Sequence, residues 1–461
     1  MIKKIAILGF GREGKAVLKF LKKRNPNADI TILDQKFDDN YLKNLSSFDV
    51  VYRSPGVPYN LPEIQKAIRK GVKFSSSIKL FFEQIEEWSK INGQKSTVII
   101  GITGTKGKGT TATLLYKILK ACGKNVYLAG NIGKPAIELL SKIRINQPNP
   151  HKSAFVILEL SSFQLQDMRV SPEIAVVLDV FPDHMDLHRN LREYFEAKAN
   201  IAKWQKKSDK IFYFSDNRWS KWIASKSRTK KIPVQYKEVG SPDIKPSILG
   251  RSDLQKLKEN LKIPGEHNFK NAVMAASIAL SLGCPKEKIL KVVKNFRGNE
   301  HRLELVRTIR INQLNQHESA SIKFYNDSAS TNPQTADAAI KAFKEPKILI
   351  SGGKDKGLNY SPLAKALKNS NTKLVILFGE NKNKIKRQAT RDKRQEVVLV
   401  KDLKSSVQFA YKTAKNLLKS MVNGQWSSVN ILFSPASASF DMFKDYADRG
   451  KKFKKLVRKL K

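Results

Sequence analysis

Short runs of consecutive apolar residues alternate with stretches whose apolar positions return every three or four residues, along most of the chain. Continuous apolar runs suit strands buried on both faces, and the periodic stretches suit helices that cover them. The first set reads as a strand over Lys3–Leu8, a helix from Lys15 to about Arg24, and strands at Asp29–Leu33 and Asp49–Tyr52. A polar stretch, Lys90–Ser96, interrupts the pattern as a linker would. The pattern resumes with strands at Val98–Ile102, Asn125–Ala129, Ala154–Leu158 and Ile174–Leu178, then helices at Tyr194–Gln205 and Asn268–Leu280. A third set places strands at Ile322–Tyr325, Lys347–Ser351, Leu374–Phe378, Val397–Val400 and Val429–Phe433, with helices such as Pro333–Phe343 and Ser405–Leu418 between them. Alternation of this kind predicts an α/β chain of three domains. The first and last (1–94 and 299–461) are expected to be Rossmann-like, and the middle (95–298) a mainly parallel sheet.

Composition changes this picture little. At 461 residues with 41% hydrophobic content the chain is long enough for several folded cores. No apolar run approaches the roughly 20 residues that span a bilayer. The start mimics a signal peptide but breaks into a loop carrying Arg12, Glu13 and Lys15, which points to a cytoplasmic protein. Cys122 and Cys284 form no metal or redox motif and are expected in the core. The net charge of +45 is the one extreme value. Its lysines are spread over every segment and no aromatic-interleaved nucleic-acid module accompanies them, so nucleic acid and membrane are not expected partners. The densest basic block is the end, where Phe453, Leu456, Val457 and Leu460 suit one face of a terminal helix.

Two glycine-rich loops carry candidate chemistry. Gly101-Ile-Thr-Gly-Thr-Lys-Gly-Lys-Gly-Thr110 follows an apolar strand and opens a helix of strong helix formers. Backbone N–H groups at such a helix start, with Lys108 beside them, form a phosphate cradle. Gly109 stands where a magnesium-binding hydroxyl belongs, with Thr110 and Thr111 just behind. The other loop, Gly9-Phe-Gly-Arg-Glu-Gly14, has Asp34 at 20 positions beyond its last glycine, the layout of a dinucleotide site. Glu159 ends a buried-looking strand and is placed to hold Mg²⁺. His184, in Asp183-His-Met-Asp186, is a second candidate ligand. Lys198 reads as a surface helix lysine on its own.

Taken together, T-G-T-x-G-K, E-L-S-S-F-Q-L, D-H-M-D, the A-K at Ala197–Lys198, G-E-H-N-x-x-N and H-R-x-E resemble the Mur ligases, ATP-dependent amide ligases of peptidoglycan precursor synthesis. The resemblance runs from Gly9 to about Lys455 and is strongest to the glutamate-adding branch. It implies that the first loop serves UDP rather than NAD, with Gly11, Arg12, Glu13, Gly14, Asp34, Ser54, Pro55 and Gly56 around the nucleotide. Asn131, Ser161, Ser162 and Gln164 would face the muramoyl-alanine part. ATP would be held by Gly104, Thr105, Lys106, Gly107, Lys108, Gly109, Thr110, Thr111, Asn268, Asn271, Arg302 and Asp327. Two Mg²⁺ ions would sit on Thr110, Glu159, His184 and Lys198, the last as its carbamate, with Lys108, His184 and Lys198 as catalytic groups. The acceptor would meet Thr331, Lys356, Ser439, Phe440 and Tyr446. The implied reaction phosphorylates the carboxylate of UDP-N-acetylmuramoyl-L-alanine and lets glutamate displace phosphate from the acyl phosphate. A monomer acting on small molecules is expected.

Two departures bear on that reading. Glutamate-adding relatives carry a lysine where this chain has Ala329, so L-glutamate stands beside the favoured D-glutamate. The Gly109-Thr110 pair resembles folylpolyglutamate synthases, the other enzyme reading, in which Thr110 supplies the hydroxyl that Gly109 lacks.

Overall fold

The computed structural model describes residues 4–91, 97–131, 134–145, 154–182, 188–236, 248–311, 320–389, 395–420 and 427–460. Three sheets succeed one another along the chain. The first contains β1 (Ile5–Leu8), β2 (Ile30–Leu33), β3 (Val50–Arg53) and β4 (Lys73–Ser75), all parallel, in the order β2-β1-β3-β4. The second contains β5 (Thr97–Thr103), β6 (Val126–Gly130), β7 (Ala154–Glu159), β8 (Ile174–Val177), β9 (Lys210–Phe214) and β10 (Lys230–Val234). Its order is β10-β9-β8-β5-β7-β6 and every pairing is parallel.

The third sheet contains β11 (Glu304–Ile311), β12 (Ala320–Asn326), β13 (Lys347–Gly352), β14 (Thr372–Phe378), β15 (Glu396–Leu399) and β16 (Ser428–Phe433). It runs β11-β12-β16-β13-β14-β15, parallel except for the antiparallel edge strand β11. That edge strand, half-buried along much of its length, has no place in the run of apolar segments. Its Thr308 and Arg310 face solvent, so its signal is a broken alternation rather than an apolar block.

The central strands are the apolar runs of the sequence. β13 and β16 are buried at every residue, and β5 at every residue but Val98. Helices cover both faces and begin where the sequence places a capping side chain. Asn190 accepts from the Glu193 N–H at 2.9 Å, Asn332 from Thr335 at 2.9 Å and Asp445 from Asp448 at 2.7 Å. The terminal helix Tyr446–Arg458 buries Phe453 and Val457 against the third sheet, as its apolar spacing predicts. Cys284 is buried but Cys122 is half-buried, at the C-terminal end of the helix Lys108–Ala121, so only one of the two is a core residue.

In every sheet the strand order reverses beside one strand, and the loops leaving the carboxyl ends there splay apart into a crevice. The reversal lies at β1/β3 in the first sheet, beside β5 in the second and around β12/β16/β13 in the third. The chain divides into two compact units, Met1–Asn260 with Lys270–Lys294, and Leu261–Phe269 with Asn295–Lys461. The first unit holds the first two sheets. Among the described residues no helix is long and apolar enough to cross a membrane.

Candidate active site

The phosphate-type loop leaves the end of β5 at the crevice of the second sheet. Gly104 and Gly107 have φ of +155° and +85°, values that L side chains rarely adopt. A Cβ at Gly107 would also collide with the amide of Asn271. The Thr105 N–H donates to the Asp179 carbonyl at 2.8 Å, and the Thr105 and Tyr194 hydroxyls are 2.8 Å apart. These contacts hold the loop open in front of the helix Lys108–Ala121, where unpaired N–H groups and the helix dipole favour an anion.

Two ammonium groups converge on one carbonyl. Lys108 Nζ donates to the carbonyls of Gly104 and Thr105 at 3.0 and 3.1 Å, and Lys198 Nζ donates to Gly104 at 3.0 Å. Lys198 is a buried residue, 2% exposed, with its Nζ 4.8 Å from the centre of the Tyr194 ring. Its position in the helix Leu191–Lys203 follows from spacing: Tyr194, Lys198, Ile201 and Ala202 share the buried stripe. A lysine in an apolar stripe is the signal that reading it as a surface residue overlooks.

Glu159 ends β7 opposite Ile102 of β5, which places its carboxylate one strand from the loop. Oε1 accepts from the Asn131 amide at 3.2 Å, and the buried Oε2 has no hydrogen-bond partner among the described residues. A buried carboxylate oxygen left unpaired is costly unless a cation completes it. It therefore fits an Mg²⁺ ligand. The Thr111 hydroxyl is also buried and unpartnered among the described residues, while Thr110, Gly109 and Thr111 all sit in the buried first turn. Lys106 is exposed. His184 and its neighbours Asp183 and Asp186 lie outside the described residues. Among the described residues no cluster of three or more His, Cys, Asp or Glu side chains gathers.

Lys270 is an addition that the sequence did not flag. It is held by Asp179 at 2.7 Å and Asp216 at 3.2 Å, and its ammonium lies over the rings of Phe214 and Tyr236 at 4.6 and 4.4 Å. Burial raises the Asp179 carboxyl above its usual range, and the Lys270 hydrogen bond opposes that rise. Because Asp179 also accepts from the loop, this pair buttresses the loop wall next to Asn271. The signal was a lone lysine between Asn268 and Asn271.

The first loop is built differently. Gly9 has φ +88°, and its carbonyl accepts from the Ser54 hydroxyl at 2.6 Å, tying the β1 and β3 loops together. Asp34 spends its carboxylate on the N–H groups of Phe10 and Lys36, and the Lys36 and Phe10 bonds hold it below the usual range. Gly11 and Gly56 face open space, and Pro55 is half-buried beside Gly56.

Residues of both sheets meet here: Arg12 donates to the Asn131 carbonyl at 3.3 Å and Gln164 to the Glu13 carboxylate at 2.8 Å. Burial raises the Glu13 carboxyl, with Gln164 and the nearby arginines opposing. Ser161 and Gln164 also form a reciprocal capping box, and Ser162 is bonded to His188 at 3.0 Å. Gly14 is there for packing, since a Cβ would strike the Gly9 carbonyl. Below the loop, buried Arg53 donates to Val57 and Phe163 carbonyls at 2.7 and 3.1 Å and faces Asp167 at 3.5 Å.

In the second unit, Asp327 follows β12 and meets Ser434, which follows β16, at 2.8 Å. It also accepts from the Ser330 hydroxyl and, at 3.1 Å, from the Leu303 N–H. Burial pushes its carboxyl up to about 6 despite these donors. Arg302 is exposed, and Asn268 donates to the Pro264 carbonyl at 2.6 Å.

Lys356 Nζ lies 5.4 Å from the centre of the exposed Phe440 ring, and the Tyr446 carbonyl accepts from Ser328 at 2.7 Å. Thr331 is half-buried and Ser439 buried. Ala329 contributes only its N–H, to the His301 carbonyl at 2.9 Å. Fully buried Arg449 binds Ser328 and the Ala438 carbonyl at 2.9 to 3.1 Å, joining the two loops that carry these candidates. Burial lowers its guanidinium to about 10, opposed by Asp441 and Asp327. The sequence signal, an arginine four residues before Phe453 on the helix's buried face, passed unnoticed.

Residues 102–279 match the Mur ligase middle domain, and residues 301–420 match the glutamate ligase domain of Mur ligases. The chain is 33% identical to a UDP-N-acetylmuramoylalanine–D-glutamate ligase of Acetivibrio thermocellus, covering 99% of this chain and 96% of that one. The chain belongs to the Mur ligase family. The corresponding ligase of Clostridium tetani is 34% identical, over 99% of this chain and 97% of its own. In fold alone the chain is similar to the UDP-N-acetylmuramate–alanine ligase MurC of Thermotoga maritima, with a TM-score of 0.51, 16% identity and 99% of each chain covered. Mur ligases are ATP- and magnesium-dependent amide ligases. The dinucleotide layout at Gly9–Gly14 thus belongs to a Mur ligase rather than to a dehydrogenase.

Proposed function

We propose that the protein joins D-glutamate to UDP-N-acetylmuramoyl-L-alanine in the cytoplasm, acting as a monomer and consuming ATP through an acyl phosphate. The observation that carries this reading is the loop at Gly104, where the Lys108 and Lys198 ammonium groups share one carbonyl one strand from a Glu159 oxygen that has no hydrogen-bond partner among the described residues. Such a place gathers positive charge beside a carboxylate oxygen that a metal can use. It suits the γ-phosphate of ATP with its magnesium.

A carboxylate is a poor electrophile, so the reaction needs its oxygen phosphorylated before an amine can attack. Lys108 would neutralise charge on the transferring phosphoryl group, and the N–H groups of Gly107–Thr110 would hold the phosphates. Magnesium on Glu159, with Thr110, His184 and a Lys198 carbamate completing two sites, would offset the remaining charge of the two anionic reactants. Carbamate formation, amine plus CO₂ giving carbamate and a proton, would change Lys198 from a cation into a ligand. Asn271 and Asn268, Arg302 and Asp327 would take the nucleoside side of ATP. Arg12, Glu13, Asp34, Ser54, Asn131 and Gln164 would take the UDP-sugar, and Lys356, Phe440, Thr331, Ser439 and Tyr446 the acceptor. Full-length similarity to D-glutamate ligases supports this over a folate substrate.

Ala329 keeps L-glutamate as the second reading, because the lysine that anchors the acceptor's carboxylate in D-glutamate-adding relatives is absent here. The test is phosphate release from ATP and UDP-N-acetylmuramoyl-L-alanine with D-glutamate, L-glutamate and other amino acids in turn. D-glutamate is expected to give the highest kcat/KM. Equal or faster turnover with L-glutamate reverses the assignment, and turnover without the UDP substrate refutes the ligase reading.

A further inference from the structure

On the second unit, between the start of the helix Leu403–Ser420 and the outer side of Tyr446–Arg458, lies an open cavity of about 390 Å³. Its apolar surface comes from Leu403, Met442, Phe443 and Leu456. Met442 is 43% exposed, although buried residues of the same segment, such as Ser439, are within three positions of it. The N–H groups of Met442 and Phe443 both point back to the Ser439 carbonyl, at 3.3 and 3.0 Å, so the segment is a tight turn that presents Met442 outward and leaves Phe443 half-buried against the core.

The rim is cationic. Lys404, Lys455 and Lys459 line the cavity and make no ion pair with another described residue. Lys452 also lines it, pairing with Asp448 at 3.1 Å while its ammonium lies 5.1 Å from the Phe443 ring centre. The one acid of the lining, Asp402, accepts from the Ser405 N–H at 2.8 Å, and that bond with the charges of Lys401 and Lys404 holds its carboxyl below the usual range. Four lysines against one acid repel one another, and the exposed Met442 with the half-buried Phe443 and Leu456 leaves hydrocarbon in water.

We propose that this cavity is a binding site for a small amphipathic organic anion, one with an apolar ring or chain and a sulfonate, phosphate or carboxylate head. The body covers Met442, Phe443 and Leu456 while the head is shared by Lys404, Lys455 and Lys459. Inorganic phosphate or a nucleic-acid backbone would meet the lysines but leave the floor uncovered. The volume lies in the usual range of small-molecule sites, roughly 300–1,000 Å³, and is too small for a folded segment.

The probe is anilinonaphthalene sulfonate, titrated into the full chain with fluorescence as the readout. One saturable site is expected, with uncharged N-phenylnaphthylamine binding about tenfold more weakly. The double variant Lys455→Glu/Lys459→Glu should weaken the sulfonate by about tenfold or more. Lys22→Glu/Lys23→Glu, the same charge change on exposed lysines of the other unit, should leave it unchanged, and circular dichroism checks that both variants fold. No saturable binding, equal loss in both double variants, or loss in neither would overturn the proposal.

Discussion

The two glycine-rich loops of the first unit follow the first strand of their sheets, lie at the reversal of strand order, and open onto a helix. They differ in what fills the turn. At Gly9–Gly14 the loop carries both Arg12 and Glu13, and the carboxylate beneath it, Asp34, is already bonded to the loop's own Phe10 N–H. At Gly104–Lys108 the charged groups are two ammonium ions that donate to one carbonyl. The topology makes both loops anion sites, but the side chains decide how much negative charge each can take. One loop has Asp34 tied to its own backbone and suits a ligand bound largely through backbone groups and Ser54. The other brings two ammonium groups to one carbonyl and suits a polyanion.

Four experiments can break or sharpen this contrast. The largest effect is expected for Lys108→Met, about a thousandfold loss of ATP-dependent phosphate release with UDP-substrate binding unchanged in calorimetry. A loss of UDP-substrate affinity instead would mean that the two loops are not separate.

Next comes Asp327, the carboxylate at the crevice of the third sheet, which like Asp34 is met by local donors but is fully buried. Its folded pKa of about 6 exceeds the unfolded value of 3.8, so the folded protein holds more protons between these limits. Its contribution to stability is therefore complete below about pH 4 and is lost as pH rises to about 6, by up to about 3 kcal/mol. Denaturant unfolding from pH 4 to 7 should show wild type losing that much relative to Asp327→Asn. A difference that is flat or grows with pH contradicts the burial argument.

Lys198→Ala should cost about a hundredfold in kcat, with partial recovery in added short-chain carboxylates if a carbamate normally serves the metal. Full activity in Lys198→Arg would remove that role. The smallest effect belongs to Asp34→Asn, about a tenfold rise in KM for the UDP substrate with the KM for ATP unchanged, because an amide oxygen can still accept from Phe10. If the KM for ATP moves instead, the assignment of the loops is reversed.

Much of the fold was legible because it rests on local rules. Buried parallel strands are apolar runs, and β1, β5, β7, β8, β13 and β16 fall within a residue or two of their expected limits. Half-buried edge strands such as β4 and β11 lack that signature. Of the site, the glycine loops and Glu159 were visible because they need a particular backbone or a strand end. The UDP side was readable only by resemblance, since Asp34, Glu13 and Gln164 carry local roles that also suit an ordinary loop or cap.

By itself the sequence determined the three sheets, the phosphate loop and the kinship, since strand burial, glycine placement and motif order are all properties of neighbouring residues. Only the tertiary structure decided that Lys198 points inward to Gly104, that Lys270 is caged against the loop wall, and that Arg449 joins two loops of the third sheet. Each of these is a cation taken out of water. Whether burial is tolerable depends on carbonyls, carboxylates and rings that arrive from distant parts of the chain, which no local pattern records.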